Sequence, residues 1–440
     1  MSWLVDTCVL LDILQGDPVF GPASARTLER LSSDGLEISP GTSVELAPYF
    51  LGDSQRQEKF LREVGIMVSS NWDITARRAA EAAWAAHVEA KRKGLAAKKP
   101  IARDSIFRLY SQSKPITAAA VMSLADHGVI DLMAGVDWYL PGFRNPRVVR
   151  PDGTVVPALR APWIIELLSM TAGLSYPDAD PAGQYAAWVF EEDQEQILAG
   201  GGMGTVEFCN KLGEQPLAFE PGTGWRYSTC ADILGAVVEA VTGIRFGQFL
   251  QEAILDPLDM KDTAFWVPEE KRDRLVTCYR RIPGGLEEFR SLHLAVGQYD
   301  RPPAFESGGA GLVSTLDDYA KFAAMLMQDG VYEGHRILSP AAVRFMTAPR
   351  LNPEVRRGLW DSLGGYNYGC LVRVCDRPGS CAVFTEEGEY GWDGWLGTYF
   401  ANLPGKGITF LLNQNAPDTG TAPVTRKCRN ILAAELSRKG

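Results

Sequence analysis

The chain has 440 residues, of which 46% are hydrophobic and 22% charged, and a formal net charge of −10. This composition predicts a folded globular protein, too long for one ordinary core. The negative charge argues against polyanionic partners such as nucleic acid or an acidic membrane surface, and no window reaches the ~20 apolar residues of a membrane-spanning helix.

The opening MSWLVDTCVLLDIL is apolar but has no basic n-region or small-residue cleavage site. It reads as a buried strand rather than a signal peptide, which places the protein in the cytoplasm. There the eight cysteines are expected as free thiols, most of them buried. Strand patterns over 3–9 and 36–39 and an Ala-rich helical stretch over 75–93 predict a parallel α/β unit in residues 1–100. The basic cluster Lys91, Arg92, Lys93, Lys98, Lys99 reads as a solvated helix end and linker. After Pro100 the character changes. An apolar helix over 111–127 is followed by further helices and by late alternating strands around 366–374 and 397–413. Residues 101–440 are therefore expected as a second domain, of α+β class.

Two segments of that domain carry chemistry. Ser111-Gln112-Ser113-Lys114 opens the apolar helix. Residues three apart share a helix face, so the hydroxyl and the ammonium can meet. A serine in a first helical turn also lies beside backbone N–H groups that favour an oxyanion. The second is Glu220-Pro221-Gly222-Thr223-Gly224-Trp225-Arg226-Tyr227-Ser228-Thr229, a turn running into a helix. Tyr227 can act as a base only if its pKa of ~10 falls toward neutrality, which a nearby desolvated cation such as Lys114 can promote. A Ser-His-Asp triad is disfavoured by the four scattered histidines and by the absence of a G-x-S-x-G elbow. His127, on the helix after the serine, reads as structural.

Together with Leu167-Leu168-Ser169-Met170-Thr171-Ala172-Gly173-Leu174, Asp256-Pro257-Leu258-Asp259-Met260 and Ser307-Gly308-Gly309-Ala310-Gly311-Leu312, these segments resemble the class C β-lactamase and family VIII carboxylesterase branch of the penicillin-binding-protein/serine β-lactamase superfamily. The resemblance implies an antiparallel sheet flanked by helices plus an all-α subdomain. It makes Ser111 the acylated nucleophile, Lys114 its proton-relay partner and Tyr227 the general base. Trp392-Asp393-Gly394-Trp395 stands where the family has its third motif, so the N–H groups of Ser111 and Trp395 would form the oxyanion hole, with Trp392, Asp393 and Gly394 beside substrate. Thr229 replaces the Asn of the lactamase Tyr-x-Asn motif. Asp393 replaces a small residue and is expected to bring a negative charge to the site. The family also has two long antiparallel strands ahead of the serine helix. Residues 1–100 show no such hairpin, so either they supply a substitute or the sheet is incomplete, with an exposed edge.

Residues 1–100 resemble a PIN-domain ribonuclease through Leu4-Val5-Asp6-Thr7-Cys8 and Thr42-Ser43-Val44-Glu45-Leu46. This resemblance would make Asp6 and Glu45 ligands of Mg²⁺. Two carboxylates are too few for a two-metal site, so the segment reads as an incomplete PIN-like unit without nuclease activity. The expected function is a cofactor-free serine hydrolase, most simply a carboxylesterase for short-chain neutral esters. The alternatives are a Mg²⁺-dependent ribonuclease and a non-catalytic fusion.

Overall fold

The computed structural model describes residues 101–282, 285–290 and 299–438, together with 3–4, 21–31, 36–38, 53–68 and a few single positions before residue 100. Two compact units divide the chain: one comprises 1–100 with 281–287, the other 101–280 with 288–440. In the first, strands Trp3–Leu4, Leu36–Ile38 and Ile66–Val68 pair in parallel, in that order. Parallel neighbours need crossovers, and helices Gly21–Leu31 and Ser54–Glu63 lie between them in the chain. The parallel α/β arrangement is therefore present. Asp6, Glu45 and the helix expected over 75–93 lie outside the described residues.

Four helices and a five-stranded sheet of the second unit position the site; further helices and two-stranded ribbons surround them. Helix α1 (Lys114–Asp126) is buried along most of its length; Pro115 in its first turn has no N–H to leave unsatisfied. Helix α2 (Cys230–Thr242) packs against it and stops at Gly243, whose φ of 74° is the left-handed conformation of a helix C-terminus. Helix α3 (Leu316–Met327) is capped by Thr315, whose hydroxyl accepts the N–H of Asp318 at 3.1 Å. Helix α4 is Pro423–Arg438.

The sheet has five antiparallel strands in chain order: β1 (Tyr366–Tyr368), β2 (Arg373–Cys375), β3 (Tyr390–Asp393), β4 (Tyr399–Leu403) and β5 (Ile408–Leu412). The stretch 366–374, which alternates like one strand, is a hairpin that turns at Leu371, with φ of 57°. Residues 397–413 hold two strands joined at Pro404–Lys406. Side chains alternate between the two faces. Trp392 pairs with Phe400, whose ring meets Tyr319 of α3; Asp393 pairs with Tyr399, whose hydroxyl meets Arg429 of α4. One face therefore carries α3 and the other α4.

The α4 face holds a buried charge cluster. Glu389 is fully buried and accepts from Arg429 Nη2, from Thr385 Oγ1 and, at 3.1 Å, from the Tyr366 hydroxyl. Arg429 Nη1 donates to the Tyr399 hydroxyl at 2.7 Å. Arg373 donates to the Phe400 carbonyl at 2.9 Å and to Asp393 Oδ1 at 3.3 Å. Two guanidinium groups thus face two carboxylates. Removing one member of such a cluster strands a buried charge. Glu389→Ala is expected to lower unfolding stability by ~3–5 kcal/mol in urea titration. Asp317→Asn, in an Arg103–Asp317 pair whose side chains are 68% and 48% exposed, should change it by less than about 1 kcal/mol.

Candidate active site

Ser111 lies in the 3₁₀ turn Tyr110–Ser113 that leads into α1. Three residues per turn bring i and i+3 onto one line, and Lys114 Nζ donates to Ser111 Oγ at 3.2 Å. The turn is entered through Tyr110 at φ 45°, a left-handed conformation that costs a non-glycine residue about 1–3 kcal/mol. Neighbouring contacts hold it there. The Tyr319 hydroxyl donates to the Gln112 carbonyl at 3.0 Å, and Leu312 N–H donates to Ser113 Oγ at 3.2 Å.

Lys114 is fully buried. Besides Ser111, its ammonium reaches the Tyr176 hydroxyl at 3.1 Å and the Gly309 carbonyl at 2.9 Å, and it sits 4.5 Å from the centre of the Tyr227 ring. Burial lowers its pKa to about 7, an effect opposed first by Asp232, then by Cys230 and Asp393. Tyr227 hydrogen-bonds Ser111 and accepts from Trp392 Nε1 at 3.1 Å. Burial nevertheless pushes its pKa above the usual phenol value, so it stays protonated. Ser111, Tyr176 and Tyr227 remain partly exposed and reachable.

Of the expected site residues, Ser111, Lys114, Tyr227 and Trp392 come together. Gly394 passes so close to the nucleophile turn that a Cβ there would sit 2.1 Å from the Leu109 carbonyl oxygen. The Trp395 ring packs edge-on against Tyr110 at 5.2 Å. Asp393 projects to the opposite face from Trp392 and is paired with Arg373, but it still acts electrostatically on Lys114 and Tyr227, so the charge expected near the site sits behind the strand, with a partner. Thr229 bonds the Ser175 carbonyl at 3.4 Å. His127 caps the end of α1 through the Ser123 carbonyl at 2.8 Å. Tyr390 belongs to the core, with its hydroxyl accepting from Asn402 at 3.0 Å.

Sequence reading missed three residues. Tyr176 follows the quoted Ser169–Leu174 segment by two positions. Asp232, in the first turn of α2, accepts from Ser307 Oγ at 2.5 Å and from Gly309 N–H at 3.0 Å. Trp360, 47% exposed, meets Tyr227 and Trp225 edge-on at 4.8 and 5.5 Å and stacks with Trp392 at 6.4 Å. The Ser307–Gly311 segment threads between helices: a Cβ on Gly308 would lie 2.4 Å from the Ala231 carbonyl, and one on Gly309 would lie 2.8 Å from Asp232 Oδ2.

The family described as Beta-lactamase matches residues 64–434, beginning ahead of the change in character at residue 100. An uncharacterized protein of Mycobacterium tuberculosis is 32% identical over 77% of this chain and 84% of its own length. Esterase EstB of Burkholderia gladioli is 29% identical over 76% of this chain and 84% of that protein. Among solved structures, EstCE1, a hydrolase with promiscuous acyltransferase activity, superposes with a TM-score of 0.63 at 26% identity, covering 76% of this chain and 87% of that one. None of these supports the PIN-like resemblance of residues 1–100. With the family match spanning most of its length, the chain belongs to the beta-lactamase family, as a serine hydrolase related to esterases and acyltransferases.

Proposed function

We propose that the protein is a carboxylesterase that cleaves short-chain neutral esters through an acyl-enzyme on Ser111. The observation that carries this reading is the Lys114–Ser111 hydrogen bond at 3.2 Å, made by a buried lysine whose pKa lies at about 7. Near neutrality a large fraction of such a lysine is a free amine that can accept the serine proton. Lys114 is therefore assigned the base role that the family resemblance gave to Tyr227. Tyr227, kept protonated by burial, is suited to the opposite step.

In acylation the Ser111 proton passes to Lys114 Nζ as Oγ attacks the ester carbonyl. The N–H groups of Ser111 and Trp395 receive the oxyanion. Collapse breaks the C–O bond, the alkoxide takes the Tyr227 proton, and the Lys114 ammonium beside it restores that proton. Water repeats the sequence on the acyl-enzyme and releases the acid. No cofactor enters these steps, and the small-molecule ester is the proposed partner. The cytoplasm remains the proposed compartment, with Asp6 and Glu45 given no catalytic part.

Substrate preference follows from the third motif. Trp392-Asp393-Gly394 offers no cation for a substrate carboxylate, and Asp393 is turned away and paired. A carboxylate-bearing substrate thus forgoes a charge-assisted bond of ~1.5–3 kcal/mol. Trp360 and Tyr227 present aromatic surface beside Ser111 instead, backed by the buried Trp392. This supports neutral esters over penicillins and D-Ala-D-Ala peptides.

Intact-mass analysis after fluorophosphonate treatment should show one adduct that Ser111→Ala abolishes; an undiminished adduct in that variant would sink the mechanism. Ester kcat/KM should rise with pH through an apparent pKa of about 7, because the amine form of Lys114 is the active one. Nitrophenyl butyrate should exceed nitrocefin by at least roughly tenfold in kcat/KM. Trp360→Ala should cut the butyrate value by roughly tenfold while leaving the unfolding midpoint nearly unchanged.

A further inference from the structure

We infer that Asp232 is the positioning residue of the site: the buried counter-charge that, through the Gly309 peptide, fixes Lys114 and the proton it carries. The inference rests on the reading of Lys114 as the base. One peptide unit serves both groups: Gly309 N–H donates to Asp232 Oδ1 at 3.0 Å, and the Gly309 carbonyl accepts from Lys114 Nζ at 2.9 Å. The same carboxylate oxygen, Oδ1, also accepts from Ser307 Oγ at 2.5 Å, and Ser307 Oγ in turn accepts Ala310 N–H at 3.0 Å. Withdrawing Asp232 would therefore slacken the loop whose carbonyl holds the lysine.

The charges around Lys114 single out Asp232. Tyr176 and Tyr227 are phenols that burial keeps protonated. Cys230, on the same helix as Asp232, is a thiol pushed up to about 12 by burial and so carries no charge at neutral pH. Asp393 reaches the lysine from β3, but Arg373 already answers its charge at 3.3 Å. Asp232 is only 2% exposed, and among the described residues no guanidinium or other ammonium pairs with it. Burial raises the Asp232 carboxyl too, but Lys114, Ser307 and the Gly309 N–H oppose that shift, and Asp232 in turn is the charge that most favours the ammonium of Lys114. An anion in the first turn of α2 also suits the helix dipole. That role would affect stability alone and leave the titration of Lys114 where it is.

The test is the pH dependence of nitrophenyl butyrate kcat/KM for the wild-type chain, Asp232→Asn and Ser307→Ala. Losing the anion removes what favours the ammonium, so the lysine deprotonates more readily and the acid limb moves to lower pH. A fall of one unit or more is expected in Asp232→Asn, which raises the pH 6 value relative to the plateau by about fivefold. The plateau itself should drop as placement is lost. Ser307→Ala, which keeps the carboxylate but removes its anchor, should move the limb the same way by a smaller amount and serves if Asp232→Asn does not fold. A wild-type limb near 7 that stays put in the folded variants overturns the role of Asp232 and leaves the proposed function standing. No wild-type limb near 7 overturns the assignment of Lys114 as base, and this inference with it.

Discussion

An ammonium group with no solvent exposure is the constraint around which this site is arranged. Burying a charge is tolerated only where hydrogen bonds and a counter-charge replace water. Lys114 finds three acceptors, on Ser111, Tyr176 and Gly309, which match its three N–H donors. The acceptors come from three separate segments. The serine belongs to the turn ahead of α1, the phenol to the loop after Gly173, and the carbonyl to the glycine loop ahead of α3. That loop can approach because positions 308 and 309 lack a Cβ that would strike the Ala231 carbonyl and Asp232. The same burial that makes the arrangement demanding brings the lysine's pKa to about 7, where an amine can take a proton from serine.

The sheet separates its own charges from the aromatic side of the site by parity. Trp392 and Asp393 are adjacent in sequence, yet alternation sends the indole toward Tyr227 and the carboxylate toward Arg373. The cluster of Arg373, Arg429, Glu389 and Asp393 sets two cations against two carboxylates under the strands, and of its members Asp393 acts on Lys114. A single-residue slip of β3 would exchange those roles and put a carboxylate against the nucleophile.

This explains what could be read in the sequence and what could not. Ser111 and Lys114 are three residues apart, and a local helical turn alone brings them together. Tyr227 was found through its neighbours in a Pro/Gly turn. The hairpin hidden in 366–374 was missed because two short strands with a tight turn alternate much as one strand does. Tyr176 lies 62 residues from Lys114, and Asp232 lies 75 from Ser307 and 77 from Gly309. These partnerships exist only once α1, α2 and the glycine loop are packed. Asp393 was legible as a charge near the site, and it does act on Lys114; its partner Arg373 was not, because that pairing exists only across the formed β2–β3 ladder.

The family resemblance implied two long strands ahead of the serine helix. Among the described residues that stretch contributes three short parallel strands in the first unit and, in the second, Phe107–Arg108 paired with Val313–Ser314. Strand β5 has β4 as its one described neighbour, and its residues are half-buried. Strand β5 lies two strands from β3, the strand that delivers Trp392 and leads into Trp395. The nucleophile turn is held from elsewhere, by Tyr319, Leu312 and the contact of Gly394 with Leu109. The groups that position the chemistry are thus gathered on the α1–α2–β3 side of the unit, where the number of strands beyond β5 has no direct bearing on the Ser111–Lys114 geometry.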